Sequence, residues 1–260
     1  MASQPRNEKK SPERDMNIPE VGERINRYLA QCGICSRREA DRLIEAGKVT
    51  LNGTIITTPG VRIMPKDKVC VEGELITLDE SHTYILYYKP RGLMCSRSDA
   101  KGRPLIYDQM DVAANVQSVG RLDMDSEGLL ILTNDGKLAQ VLTHPSSKIP
   151  RQYRVRIAGI LSLENMEKLR HGGIDMGDGD LSEPWEFRVD AETRGHCWIT
   201  VTIHQGRWRE IRRTLDACGH PVRRLIRTSF GPIKLDEGMP SGARRPLNSA
   251  ELRKLQALIQ

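Results

Sequence analysis

The chain has 260 residues, 38% of them apolar and 28% charged, with a formal charge of +6 and a pI near 9.0. That length suits one large domain or a large domain with a small companion. No stretch approaches the roughly 18 continuous apolar residues of a membrane span, so the chain reads as a soluble protein, and the positive balance suits a polyanionic partner without naming one.

Residues 1–21 mix Arg6, Lys9, Lys10 and Arg14 with acids and prolines and hold no apolar run that a signal peptide would need. They are expected to form a disordered tail on a cytoplasmic protein. Cys32, Cys35, Cys70, Cys95, Cys197 and Cys218 are scattered, as reduced packing thiols are, rather than spaced as a disulfide framework. Cys32 and Cys35 form a CxxC, but no second pair stands nearby to complete a tetrahedral zinc site, and no metal is expected.

Residues 22–80 read as a small unit of helix, helix, hairpin and strand. Ile25, Tyr28 and Leu29 have helical spacing up to a stop at Gly33, and Ser36 with Glu39 opens a second helix that ends at Gly47. Val49 and Leu51 alternate into the turn Asn52-Gly53, and Val69 and Val71 alternate into Glu72-Gly73. Arg24, Arg27, Arg37, Arg38, Arg42 and Lys48 concentrate on the helical pair. Arg37 and Arg38 fall in a helix's first turn, where the macrodipole disfavours cations, and a phosphate bound there would relieve the conflict. The alternative is a solvated basic face. The stretch RINRYLAQCGICSRREADRLIEAGKVTLNG resembles an S4 domain, a small RNA-binding module, over about 55 residues. The resemblance implies that these six basic residues dock on structured RNA.

Residues 82–260 form the larger unit. Strand patterns recur in TYILYYKP, GLLILT, QYRVRIAG and CWITVTIHQG, with helical patterns over 137–142, 162–169 and 208–217 and a last helix capped by Asn248 with Glu251. One-sided strands interleaved with helices predict an α+β domain whose mixed, largely antiparallel sheet is flanked by helices.

The stretch with most chemical content is Gly120-Arg-Leu-Asp-Met-Asp-Ser-Glu-Gly128, which leads into an apolar strand. It opens like a calcium loop, but Asn134 stands where a bidentate Glu is required and a Leu/Ile strand follows the glycine. Two readings remain from the residues alone: a connecting polar loop, or a carboxylate presented at a cleft by a glycine-bounded loop on a rigid strand.

GRLDMDSEGLLILTNDG is similar to the signature of the RsuA/RluB group of ribosomal RNA pseudouridine synthases. KPRGLMCS, HPSSKIPRQYRV and GRWREIRRTLDACGHPVRRLIRTSFGPI follow that group's pattern in order. The resemblance runs from about Arg24 to the end; Ser126 stands where the group commonly has Thr. It implies that Asp123 is the essential carboxylate, with Arg212 as the guanidinium that keeps it ionised in a dry pocket. Tyr153 corresponds to the tyrosine that stacks on the base, although it shares a strand face with Val155 and Ile157 and reads equally as core. Arg121 corresponds to the arginine that fills the space a flipped base vacates, and Leu225 to the residue closing the pocket's apolar side. Arg209 and Arg213, in an arginine-rich stretch over 207–227, are expected to contact RNA phosphates. YILYYKPRG and HPSSKIPRQY are nearest the RluB type, which acts on 23S rRNA of the large subunit.

The reaction so implied is isomerisation of one uridine after base flipping, with no redox change and no cofactor. The expected partner is ribosomal RNA, as part of a ribosome assembly intermediate, with no membrane and no small-molecule cofactor. The rival from another class is a catalytically silent S4-type rRNA-binding or assembly factor; the same chemistry on 16S rRNA is a second alternative.

Overall fold

The computed structural model describes residues 22–79 and 81–259, so the tail expected over residues 1–21 lies outside them. The chain divides into two compact units that meet in sequence between Leu78 and Asp79.

In the first unit, β1 (Glu23–Arg24) leads into α1 (Ile25–Gln31) and α2 (Arg37–Glu45). Ser36 caps α2 by accepting from the Glu39 amide at 3.2 Å, and Gly47 leaves the helix at φ 68°, as the sequence predicts. Strands β2 (Val49–Leu51), β3 (Thr54–Ile56), β4 (Arg62–Ile63), β5 (Val69–Val71) and β6 (Glu74–Ile76) follow; β4 pairs with β1, and the other four form a sheet in the order β3-β2-β5-β6. Asn52-Gly53 and Glu72-Gly73 both turn with positive φ at two consecutive residues, the geometry that matches the twist of a two-residue hairpin. Ile25, Leu29, Ala40 and Ile44 from the helices pack on Val49, Val69 and Val71.

The second unit is a nine-stranded mixed sheet. Its strands are β7 (Tyr84–Lys89), β8 (Gln117–Ser118), β9 (Glu127–Thr133), β10 (Arg151–Ala158), β11 (Glu186–Thr193), β12 (His196–Ile203), β13 (Val222–Phe230), β14 (Ile233–Lys234) and β15 (Arg244–Pro246). The main path runs β11-β12-β10-β13-β9-β7-β15, and every pairing is antiparallel except β13 with β9. Helices α3 (Gly136–Thr143), α4 (Leu163–His171), α5 (Glu210–Ala217) and α6 (Ser249–Gln256) flank it. The α+β class and the largely antiparallel sheet are therefore as expected. All seven residues of β9 are buried, which is why its sequence is a continuous apolar run rather than an alternating one.

Two packed layers position the site. Val155, Ile157, Cys197, Ile199 and Val201 from β10 and β12 pack with Ile211 and Leu215 of α5. Leu86, Leu129 and Ile131 from β7 and β9 pack with Leu138 and Leu142 of α3 and Leu255 of α6. The helix expected over 208–217 starts two residues later, because Arg209 takes a left-handed conformation (φ 47°) that a helix cannot include.

Candidate active site

The loop of interest, residues 120–126, enters β9 where that strand meets β13. Gly128 sits at φ 109°, and a Cβ there would stand 2.3 Å from the Arg227 carbonyl oxygen, so only glycine admits the parallel strand at this distance. The Ser126 amide donates to the Asp123 carbonyl at 3.0 Å, closing a turn over Met124 and Asp125. Beneath that turn lies Lys89, fully buried at the end of β7. Its Nζ donates to the carbonyls of Pro90 (3.0 Å), Asp123 (3.1 Å) and Ser126 (2.9 Å), which uses all three protons on backbone. Burial pushes this ammonium below the ordinary lysine range, against the pull of the nearby carboxylates.

A cleft of about 430 Å³ opens above the loop. Asp123, Tyr153, Arg212, Arg121 and Leu225 all line it, so the structure gathers every residue expected to act on the target base. Tyr153 does so from the buried face of β10, where it also belongs to the core with Val155 and Ile157. Arginines 121, 151, 207, 209, 212 and 227 line the cleft against the carboxylates Asp123 and Glu210, which makes it basic.

The ion pairs differ from expectation. Arg209 lies 3.6 Å from the Asp123 carboxylate, and it also holds Asp125 through two bonds at 3.2 and 3.1 Å. Arg212 instead takes the Asp125 side chain at 3.3 Å, the Asp125 carbonyl at 3.0 Å and the Ser126 hydroxyl at 3.5 Å. The guanidinium assigned to Asp123 is thus a neighbour in the loop's support, and the direct ion pair comes from Arg209. The left-handed turn at Arg209 brings this about by folding its side chain back over the loop. Burial of Asp125 raises its carboxyl, but the Arg209 bond and the charges of Arg212 and Arg209 outweigh that and hold it below the usual range. Burial pulls Arg212 below the usual arginine range.

Arg213, expected on phosphate, is committed to protein. Its three nitrogens donate to the Met176 carbonyl (2.9 Å), Asp180 (2.9 Å) and the Gly177 carbonyl (3.2 Å). Arg207 joins it on Asp180 at 2.8 Å and on Glu210 at 3.0 Å. Arg209 likewise serves the acidic loop. In the first unit, by contrast, Arg24, Arg27, Arg37, Arg38, Arg42 and Lys48 are all exposed; Arg27 and Lys48 make surface pairs with Glu23 and Glu72. Arg37 and Arg38 are the first two residues of α2, as the capping pattern requires.

Sequence reasoning passed over two residues of the cleft, Arg227 and Trp208, and Lys89 beneath its loop. Lys89 carried the signal of a lysine before Pro90, without a role. Arg227, almost fully buried, donates to the Leu129 carbonyl at 2.7 Å and stacks 4.9 Å from the Phe230 ring. Trp208 stands on the rim, highly exposed.

Comparison with known proteins bears on this arrangement directly. The RNA pseudouridylate synthase family model matches residues 83–217, which include the whole loop and all of α5, and the S4 domain model matches residues 23–77. The chain belongs to the RNA pseudouridylate synthase family. This pseudouridine synthase is 37% identical over 250 residues to ribosomal large subunit pseudouridine synthase B of Salmonella typhi, covering 92% of this chain and 84% of that one. It is 38% identical over 243 residues to an uncharacterized RNA pseudouridine synthase of Mycobacterium bovis, covering 92% and 94%. Among solved structures, a pseudouridylate synthase crystal structure aligns with a TM-score of 0.64 at 30% identity, over 90% of this synthase and 100% of the other chain. An enzyme of this kind breaks the bond between ribose C1′ and uracil N1, turns the base and rejoins it through C5. N1 gains a proton, C5 loses one, and the sum is an isomerisation.

Proposed function

We propose that this synthase converts one uridine of 23S rRNA to pseudouridine in the cytoplasm, with Asp123 as its catalytic carboxylate. The observation that carries the reading is the placement of Asp123 in a basic cleft beside Arg209 and Tyr153, in a chain similar over 92% of its length to a large-subunit enzyme. In this reading residues 22–80 hold rRNA through Arg24, Arg27, Arg37, Arg38, Arg42 and Lys48, and residues 82–260 receive the flipped nucleotide.

The side chains divide the work. Asp123 meets the extruded uridine, with the Arg209 guanidinium 3.6 Å from its carboxylate. Arg212 and Lys89 fix the loop from two sides, so that the carboxylate is already placed when the base arrives. Tyr153 stacks on the uracil, Leu225 covers its apolar edge, and Arg121 occupies the gap left in the RNA. Forming the carbon glycoside expels the C5 hydrogen, which gives a direct assay. Large-subunit transcripts tritiated at uracil C5 are expected to release label with the wild type, small-subunit transcripts to release none, and Asp123→Asn to bind without release. Binding by both proteins with release by neither would mean a silent rRNA-binding factor; release only from 16S transcripts would move the target to the small subunit.

A further inference from the structure

Trp208 sits on the lip of the cleft with 72% of its surface exposed. Leaving an indole in water forgoes a large hydrophobic gain, and folding alone would not select it. The main chain around it is nonetheless fixed. Arg207 is bonded to Asp180, to the Leu181 carbonyl and to Glu210, and Arg209 grips Asp125 from a left-handed backbone. Arg213 donates to the Trp208 carbonyl at 3.4 Å and holds its guanidinium 5.5 Å from the indole ring. These bonds secure the peptide and leave the ring facing solvent.

Turning a uridine into the cleft strips its neighbour of a stacking partner at the point where the strand crosses the lip. An aromatic face fixed there replaces the lost partner, and stacking on an aromatic side chain accepts any base because every base has a π-face. The charges of this loop are not free for the same task, since Arg207, Arg209 and Arg213 are held by Asp180, Glu210 and Asp125. We propose that Trp208 is the stacking platform for the nucleobase next to the flipped uridine, and hence a positioning and specificity-determining residue for this reaction. The proposal rests on the reading of the cleft as the uridine pocket. A purine, with its larger face, is the preferred occupant.

The test uses the full chain and a stem-loop transcript, tritiated at uracil C5, centred on the uridine that the wild type modifies. Trp208→Ala is expected to raise KM about tenfold while kcat changes by less than about threefold, and Trp208→Phe to stay within about threefold of wild type in KM. The slope of log KM against log salt should be the same for all three, because stacking releases no counterions. With an abasic site in place of one of the two flanking bases, wild type and Trp208→Ala should become equal. A Trp208→Ala enzyme within about twofold of wild type, a Phe variant as poor as Ala, or a difference that survives both abasic transcripts overturns the proposal. A wild type that releases no tritium from any rRNA overturns the proposed function as well, so the two failures are distinguishable.

Discussion

The arginines that open α2 and those around the start of α5 are equally dense in charge, yet they are used in opposite ways. Arg37 and Arg38 extend into solvent from the first turn of α2, where the helix dipole disfavours their charge. Arg207, Arg209, Arg212 and Arg213 are bonded to Asp180, Glu210, Asp125 and backbone carbonyls, and they assemble the wall of the cleft. One cluster is left open to solvent; the other is a scaffold. What separates them is the carboxylates within reach, not the number of guanidiniums.

Removing members of each cluster should expose that difference. The largest effect is expected for Arg212→Ala, whose side chain is nearly buried and holds the loop through Asp125 and Ser126. Stability should fall by about 3 kcal/mol in urea unfolding, and tritium release by about a hundredfold, because the carboxylate loses its fixed position. An Arg212→Ala enzyme of normal stability and rate would remove the scaffold half of the contrast. Arg213→Ala comes next: losing the bonds to Asp180, Met176 and Gly177 should cost about 2 kcal/mol and lower Tm by about 5 °C. The salt dependence of RNA binding should not change, and a shallower slope would show that Arg213 reaches phosphate after all.

The paired substitution Arg37→Ala with Arg38→Ala should do the reverse. Unfolding should stay within about 0.5 kcal/mol of wild type, while RNA affinity drops about tenfold and the log–log salt slope falls by about one to two. The smallest effect concerns pH. The Asp125 carboxyl is held below its ordinary value, so its contribution is present above the unfolded value near roughly 4 and is lost as pH falls through the lower folded value. With Asp125 about a third exposed, the loss should be under about 1 kcal/mol. Acid unfolding curves of wild type and Asp125→Asn should therefore converge as pH falls below the ordinary carboxylate range; curves that stay parallel would mean that this carboxylate is not charge-coupled to its arginines.

Much of the architecture was legible in the residues because its causes are local. Asn52-Gly53 dictates a hairpin, Ser36 and Asn248 cap helices, and the alternation through 197–204 sets one face of β12 against the core. The acidic loop between Gly120 and Gly128 was legible from its residues only as one of two things, a connecting loop or a presented carboxylate, and Asp123 lines the cleft. The ion pairing was not. Which arginine meets Asp123 depends on a left-handed residue that is not glycine and on bonds spanning more than eighty positions, neither of which leaves a periodic mark. Lys89 was hidden too, since a lysine whose protons all go to carbonyls looks in sequence like any surface lysine.

Among the described strands of the large sheet the one parallel pairing is between Ile226 and Glu127 and between Arg227 and Gly128, and it joins the two halves of the main path through two residue pairs. On one side lie β10 to β13 with Tyr153; on the other lie β7 and β9 with the strand end that carries Asp123. The register of that seam thus sets the carboxylate's strand against the tyrosine's side of the sheet, and the missing side chain at position 128 is what lets the two halves meet.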